Sequence, residues 1–511
     1  MKKLIIIILS MIFVLTLSAC SDSDEVTIPD LYGMEYGDVL SWSFDNDIEL
    51  KTSSEYNDEV LPSTVFYQDI EAGSKVAIDS ILTIKYSRGY DPEGIIDIPD
   101  FTGESVSSIR TWLEENDISK FGFFDTFNLS LESGVYVGYE VDKVSERNEN
   151  FRKDYYSFYF SKGTLDVEEV EFLDMSTIRG VNLGGWFVLE GWMSPDLFEG
   201  VSGSDETIFM EEKENAEIAL ENHWDTFIVE EDFEWLSDHG VGYVRLPIPW
   251  WYNGDGVYHN SKLYIERAMV WAEKYDIKVL LDLHTAPGSQ NGFDNGGITG
   301  VLEWPEPENV AKTVEVIGQI VEDFSVFDSL WGIELLNEPG WGVNMTILQN
   351  YYLDAYQVIR DYNSDVYVGF HDGFRNYDYT WTRFFNDNDF TNVFFDIHLY
   401  QTFGDNWGDY DILDHVDFVH SAHKETIDRY EGIVPIVIGE WSLGLQGNVY
   451  EGLNYESTNL VKMAFGAAQF NEYENSFGWF FWSYKIDRDS HLEWDFRRLI
   501  EEEIIPDYFN N

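Results

Sequence analysis

Two widely separated glutamates close short apolar runs, Glu338 in WGIELLNEP and Glu440 in IVPIVIGEWS. Each run reads as a buried parallel strand whose last residues point into a cleft. Paired carboxylates on different strand ends suit glycosidic cleavage, in which one group protonates the leaving oxygen and the other acts as nucleophile or base. Asn337 precedes Glu338, and an amide there is well placed to hold a sugar 2-hydroxyl. Arg245 is a cation able to keep Glu440 ionised by lowering its pKa. The charge on Glu440 should in turn raise the pKa of Glu338 and keep it protonated as general acid. Once a glycosyl-enzyme has formed, that charge is gone and Glu338 can turn to activating water.

Other strand-like runs also end in polar or aromatic residues that packing does not require: Asn182, Arg245, His284, His371-Asp372, His398 with Tyr400, and Trp482. Three of these are histidines, and Asp282 and Asp396 stand two residues before the first and last, which could suggest a metal site. The histidines come from separate strands without a second closely spaced pair. No metal and no cofactor is expected.

Positioning these side chains requires a repeating frame. Eight apolar runs (Ile178–Asn182, Gly242–Leu246, Val279–His284, Gly332–Asn337, Val366–Phe370, Val393–His398, Pro435–Glu440 and Gly478–Trp482) alternate with helical patterns such as Ser261–Tyr275, Asn309–Phe324 and Leu348–Tyr362. The reading is an α/β fold, a (β/α)8 TIM barrel over 173–511, with chemistry at the C-terminal strand ends. Upstream lies an internal repeat. VTIPDLYG at Val26–Gly33 returns as IDIPDFTG at Ile96–Gly103, and LTIKYSRG is answered by SFYFSKG. Each copy predicts a small α+β module, over 26–90 and 95–164, with a helix at Val106–Asn116 in the second.

Composition narrows the partners. With 31 basic against 95 acidic side chains, the net charge of −64 repels phosphate backbones and excludes nucleic acid. The 18 Trp and 31 Tyr leave room for aromatic platforms beyond the core. Lys2, Lys3, the apolar run Leu4–Leu17 and the sequence Leu17-Ser18-Ala19-Cys20 read as a bacterial lipoprotein signal over residues 1–20, with Cys20 lipidated. This implies export and a lipid anchor at the cell surface, the membrane being touched only through that lipid. Cys20 is the single cysteine, so intrachain disulfides and cysteine nucleophiles are ruled out.

The ordered motifs RGVNLGGWFVLEGWMSPDLFE, HWDTFIVEEDF, VRLPIPWWY, LDLHTAPGSQNGFDNGG, ELLNEP, DIHLYQTF, IGEWS and GWFFWSYK resemble glycoside hydrolase family 5, in its exo-β-1,3-glucanase branch. The resemblance implies a retaining mechanism with Glu338 as acid/base and Glu440 as nucleophile. It places Arg245, His284, Asn337, His398, Tyr400 and Trp482 around the reacting sugar, Arg245 and Tyr400 orienting Glu440 and Trp482 forming the floor. Glu190 and Asn295 match contacts to the terminal glucose, and Phe293 and Phe403 match an aromatic clamp on the next sugar. Loops carrying Glu190 and Asn295 would close a pocket that admits only a chain end. Departures at Gly191-Trp192, VRLPIPWW and HDGF touch linkage preference rather than catalysis. The first repeat resembles PASTA modules, which are associated with cell-wall binding; the second lacks the Gln-Asp segment and reads as a diverged copy. Peptidoglycan binding and a spacer role both remain open for the modules. The leading reading is release of glucose from β-1,3-glucan. The alternatives are β-1,6-glucanase, another β-glucosidase, a transglycosylase, or a non-catalytic sugar-binding adhesin.

Overall fold

Eight parallel strands, nearly all buried on both faces, carry the runs named above: β1 (Ile178–Asn182), β2 (Tyr243–Ile248), β3 (Lys278–Leu283), β4 (Leu330–Glu334), β5 (Tyr367–His371), β6 (Val393–His398), β7 (Ile436–Trp441) and β8 (Gly478–Phe481). They close in sequence order into one barrel, β8 pairing back onto β1. The (β/α)8 expectation holds. The largest departure is at β4, which ends at Glu334, so Asn337 and Glu338 lie on the loop beyond it. The structure is a computed structural model and describes residues 25–507 apart from 58, 59, 90, 128–130, 144–149, 171, 173–176, 405 and 406. Cys20 and the signal-like segment lie outside the described residues.

The outer helices bury one face each. In Pro307–Phe324, proline opens the first turn, where its missing N–H leaves no bond unmade. Val316, Ile317, Ile320, Val321 and Phe324 recur at helical spacing and face the barrel. Met345–Tyr362 starts at Asn344, whose side chain accepts from the Thr346 N–H. Among the described residues no helix is long and apolar enough to cross a membrane.

Inside the barrel, Ile178, Leu280, Phe394, Val437 and Phe480 form a dry plug, with Tyr243, Trp331, Tyr367 and Phe477 packed against it. Trp331 stacks on Tyr367 at 4.8 Å and on Phe394 at 5.5 Å between centroids. Gly369 on β5 is needed here, because a methyl group would overlap the Phe394 ring. Register then sets the layer above. Asn182 pairs with Arg245, His371 with Asp396, and His398 with Glu440.

The chain divides into two compact units, one running to Asp125 and over Glu132–Ser161, the other comprising Thr126–Leu131 and everything from Lys162. Leu165 and Phe172 pack into the barrel's outer core, so the segment ahead of β1 belongs to that unit. The first unit holds both modules. One packs helix Tyr36–Asp45 and a sheet of Glu49–Glu55, Ile81–Ser87 and Val65–Gln68 around Ile28, Leu31, Val39, Leu82 and Ile84. The other packs helix Val106–Glu115 and a sheet of Phe121–Phe127, Tyr155–Gly163 and Tyr136–Asp142 around Ile109, Leu113 and Phe158. The repeat is structural as well as sequential. Asp30 accepts from Tyr32 N and Asp100 from Thr102 N, and Gly33 and Gly103 both take the left-handed conformation at φ 79° and 81°. Gln68 ties the first module's opening turn down, accepting from Leu31 N at 2.8 Å and donating to Ile70 O at 2.6 Å. It belongs to the Gln-Asp segment missing from the second copy.

Candidate active site

Arg245 organises the C-terminal mouth of the barrel. It is fully buried on β2 and aims its donors at acceptors around the barrel wall. Nε donates to Glu334 at 2.7 Å, Nη1 to Asn182 at 2.9 Å and Glu440 at 3.0 Å, and Nη2 to Asn337 at 2.8 Å, with Asp282 3.1 Å away. Such a cation survives burial because carboxylates surround it. Burial works against its charge, but Asp282, Glu334, Glu440 and Asp396 overcome that and hold the proton firmly.

The two glutamates stand on either side of His398. Glu440 Oε1 takes the Arg245 bond and Oε2 accepts the Tyr400 hydroxyl at 2.9 Å. Glu338 Oε1 meets His398 Nδ1 at 2.8 Å, and Oε2 accepts from Asn295 Nδ2 at 2.8 Å. His398 Nδ1 is also 3.4 Å from Glu440 Oε2, so the two carboxylate oxygens are at most about 6 Å apart. That fits the roughly 5–5.5 Å separation of retaining glycosidases rather than the roughly 6.5–9.5 Å of inverting ones.

Local backbone choices deliver this geometry. Glu338 takes a left-handed conformation at φ 45°, uncommon for a residue with a side chain and a mark of functional turns. Gln290 pins the neighbouring loops by donating to His284 O at 2.8 Å and Asn337 O at 2.9 Å. Gly439, just before Glu440, donates its N–H to Asp396 at 2.7 Å, and any side chain there would overlap that carboxylate. His284 Nδ1 lies 2.5 Å from Asp282, leaving Nε2 toward the Asn337 amide at 3.4 Å. The Trp482 indole stacks against His284 at 5.6 Å and 11°.

A cavity of about 330 Å³ opens over the pair, lined by Glu190, Trp192, Asn295, Glu338, Tyr400, Thr402, Phe403, Glu440, Trp482, Arg488, His491 and Trp494. This is the small end of the range for ligand pockets. Glu190 is buried, with Oε2 accepting from Trp192 Nε1 at 2.8 Å and Oε1 without a hydrogen-bond partner among the described residues. A buried oxygen of that kind is open to a sugar hydroxyl, and burial with Asp294 nearby pushes the Glu190 carboxyl well up. Phe293 and Phe403 are 42% and 65% exposed, Phe403 at the cavity mouth and Phe293 outside the lining, two residues before Asn295. The other residues expected from the sequence either line this cavity or bond directly to the two glutamates, Arg245 or one another.

The proton distribution differs from the expectation. Burial pushes the Glu338 carboxyl up, but the His398 hydrogen bond and charge, the nearby His371 and the Asn295 amide pull it down further, to about 2. Burial raises Glu440, and the charge of His398 together with that of Arg245 only partly offsets this. The expected order of the two carboxyls is therefore reversed. The reason is His398. Burial disfavours its charge, yet Glu440, Asp396 and Glu338 hold its proton well above the usual histidine range. The nearby proton is held on His398, and Arg245 divides its charge among several acceptors instead of serving Glu440 alone.

Glu334 escaped the sequence reading, its signal being a charged residue inside an apolar strand, and it anchors Arg245. Asp282 and Asp396, read from the sequence only with a metal in mind, instead face His284 and His398, Asp396 at 3.4 Å from Nε2. Two groups, Glu338-His371-His398 and Glu334-Asp396-His398, bring ligand-type atoms within 4.8 Å. Both share His398, whose nitrogens already face carboxylates. Trp494, Arg488 and His491 come from segments without a distinguishing pattern. Asp372 serves the loop after β5, accepting from Phe374 N at 2.7 Å and Asn376 N at 3.0 Å.

Comparison with known proteins agrees with this chemistry. The cellulase family, glycosyl hydrolase family 5, matches residues 210–488, and the PASTA domain family matches 26–88. A glucan 1,3-beta-glucosidase from Blumeria graminis is 35% identical over 374 residues, covering 64% of this chain and 86% of that protein. Another from Yarrowia lipolytica is 31% identical over 376 residues, covering 64% and 88%. The crystal structure of rutinosidase from Aspergillus niger shares the fold at a TM-score of 0.57 and 22% identity, over 66% of this chain and 100% of that one. The chain belongs to glycosyl hydrolase family 5, its barrel joined to an N-terminal PASTA domain.

Proposed function

We propose that this glycosyl hydrolase releases glucose from the non-reducing ends of β-1,3-glucan chains by a retaining, exo-acting double displacement. The observation that carries the reading is the close carboxylate pair at the base of a small pocket closed by Glu190 and Trp192. The names of its relatives support the linkage.

In the first step a Glu440 oxygen bonds to the anomeric carbon, the glycosidic bond breaks, and Glu338 passes a proton to the leaving oxygen. That proton is the one shared along the 2.8 Å His398–Glu338 hydrogen bond. A sugar ring that displaces water from the pair favours its neutral form, with the proton on Glu338 and His398 uncharged. In the second step Glu338 takes a proton from water, whose oxygen bonds to the anomeric carbon as the bond to Glu440 breaks. Arg245 and Tyr400 hold Glu440 in line throughout, and Glu190 Oε1 accepts a hydroxyl of the terminal sugar.

Digestion of laminarin tests the reading, with glucose expected as the only early product. Larger oligosaccharides without glucose would remove the exo assignment, and turnover of β-1,6-glucan alone would change the linkage. Export and lipid anchoring through Cys20 belong to the same proposal, and incorporation of a labelled fatty acid that disappears in Cys20→Ser checks them. The PASTA modules are proposed to hold the enzyme at peptidoglycan, a role that co-sedimentation with purified cell wall tests.

A further inference from the structure

Trp341 lies three residues beyond Glu338 and is 67% exposed. Its ring centroid is 5.1 Å from that of Phe374, with the planes inclined at 39°. Phe374 itself is held in an unusual way. It adopts φ 58°, rare for a bulky residue, while Asp372 accepts its N–H at 2.7 Å. Its ring lies 5.5 Å from His371, which is 4.5 Å from the His398 that bonds Glu338. Gly340 N donates to Gln290 O at 2.9 Å, tying the Trp341 loop to the loop that carries Asn295. Two loops and an unusual backbone thus hold one exposed indole beside the acid/base.

The side matters. Glu338 protonates the leaving oxygen, so the departing chain lies on its flank of the pocket. Trp341 follows Glu338 by three residues on the same loop and lies outside the cavity lining. Single exposed aromatics are ordinary on protein surfaces. This one is linked through Phe374 and His371 to His398 and is backed by a second ring, which makes it a flat apolar face suited to the C–H face of a sugar.

We propose that Trp341, supported by Phe374, is a distal platform for the leaving glucan, stacking on a glucosyl unit beyond the one held at the mouth by Phe293 and Phe403. The inference rests on the functional reading above, specifically on Glu338 as proton donor. The test is kcat/KM for an aryl β-glucoside and for β-1,3-glucosyl oligosaccharides of two to six units, in wild type, Trp341→Ala and Trp341→Phe. The expected result is a loss of about tenfold in Trp341→Ala on the longer oligomers, carried mainly by KM. The aryl glucoside and the disaccharide should change less than about twofold, and Trp341→Phe should recover most of the loss. An equal loss on every substrate, or no loss on any, overturns the platform. Should the wild type ignore β-1,3 oligomers but cleave another β-glucan series, the linkage reading fails, while the same chain-length comparison on that series still decides on Trp341.

Discussion

The two layers of side chains inside the barrel ride on the same strands, yet they do opposite work. Tyr243, Leu280 and Phe394 lie in or against the lower plug, and two residues further along β2, β3 and β6 come Arg245, Asp282 and Asp396. A strand repeats every two residues, so each pair points the same way. Within one repeat the interior passes from close-packed rings to a buried ionic network. The lower layer stabilises the barrel through area and fit. The upper layer costs desolvation and is tolerated because each charge has partners. Stability and chemistry are therefore separable along a single strand, and substitutions in each layer test that division.

The largest effect falls in the upper layer. Glu440→Ala should lower kcat by on the order of 10⁴-fold or more with the folded structure kept, as measured on an aryl β-glucoside alongside circular dichroism. Near-normal turnover would dissolve the assignment of roles. Phe480→Ala should do the reverse. Emptying its place in the plug should cost about 3–5 kcal/mol in denaturant unfolding, while the protein that remains folded turns over normally. If its kcat fell as steeply as in Glu440→Ala, the two layers would not be separable.

The pH dependence follows the directions in the site. Glu440 must be ionised to attack and its folded pKa is raised, so activity should fall with decreasing pH at a point above 4.5. The alkaline fall should come as the His398–Glu338 pair loses its shared proton, above the usual histidine range. A kcat/KM profile with its acidic limb below 4.5 would contradict this. The smallest effect concerns the pocket wall. Trp192→Phe removes the 2.8 Å bond to Glu190 and should raise KM about fivefold with kcat little changed.

Much of this was legible before the fold was known. The apolar runs marked the strands, because both faces are buried and most of the polar residues in them gather toward one end. Glu338, Glu440 and Arg245 stood out for the same reason. What could not be read was pairing across strands. Glu334 appears in the sequence as one charge in an apolar run, and only barrel closure brings it to Arg245. The reversed proton order had the same origin, since nothing in the sequence places His398 between the two carboxylates. Residues such as Arg488 and Trp494 carry no periodic signal, and their meeting at the pocket depends on loop paths.

Glu440 bonds to the sugar in the proposed reaction, while Glu338 moves protons. Treating the enzyme with an activated 2-deoxy-2-fluoro-β-glucoside slows the second step and traps the intermediate, and mass analysis of the digested protein then locates the sugar. A single adduct on the peptide containing Glu440, formed as activity is lost, is expected. An adduct on Glu338, or inactivation with no covalent sugar, would contradict it.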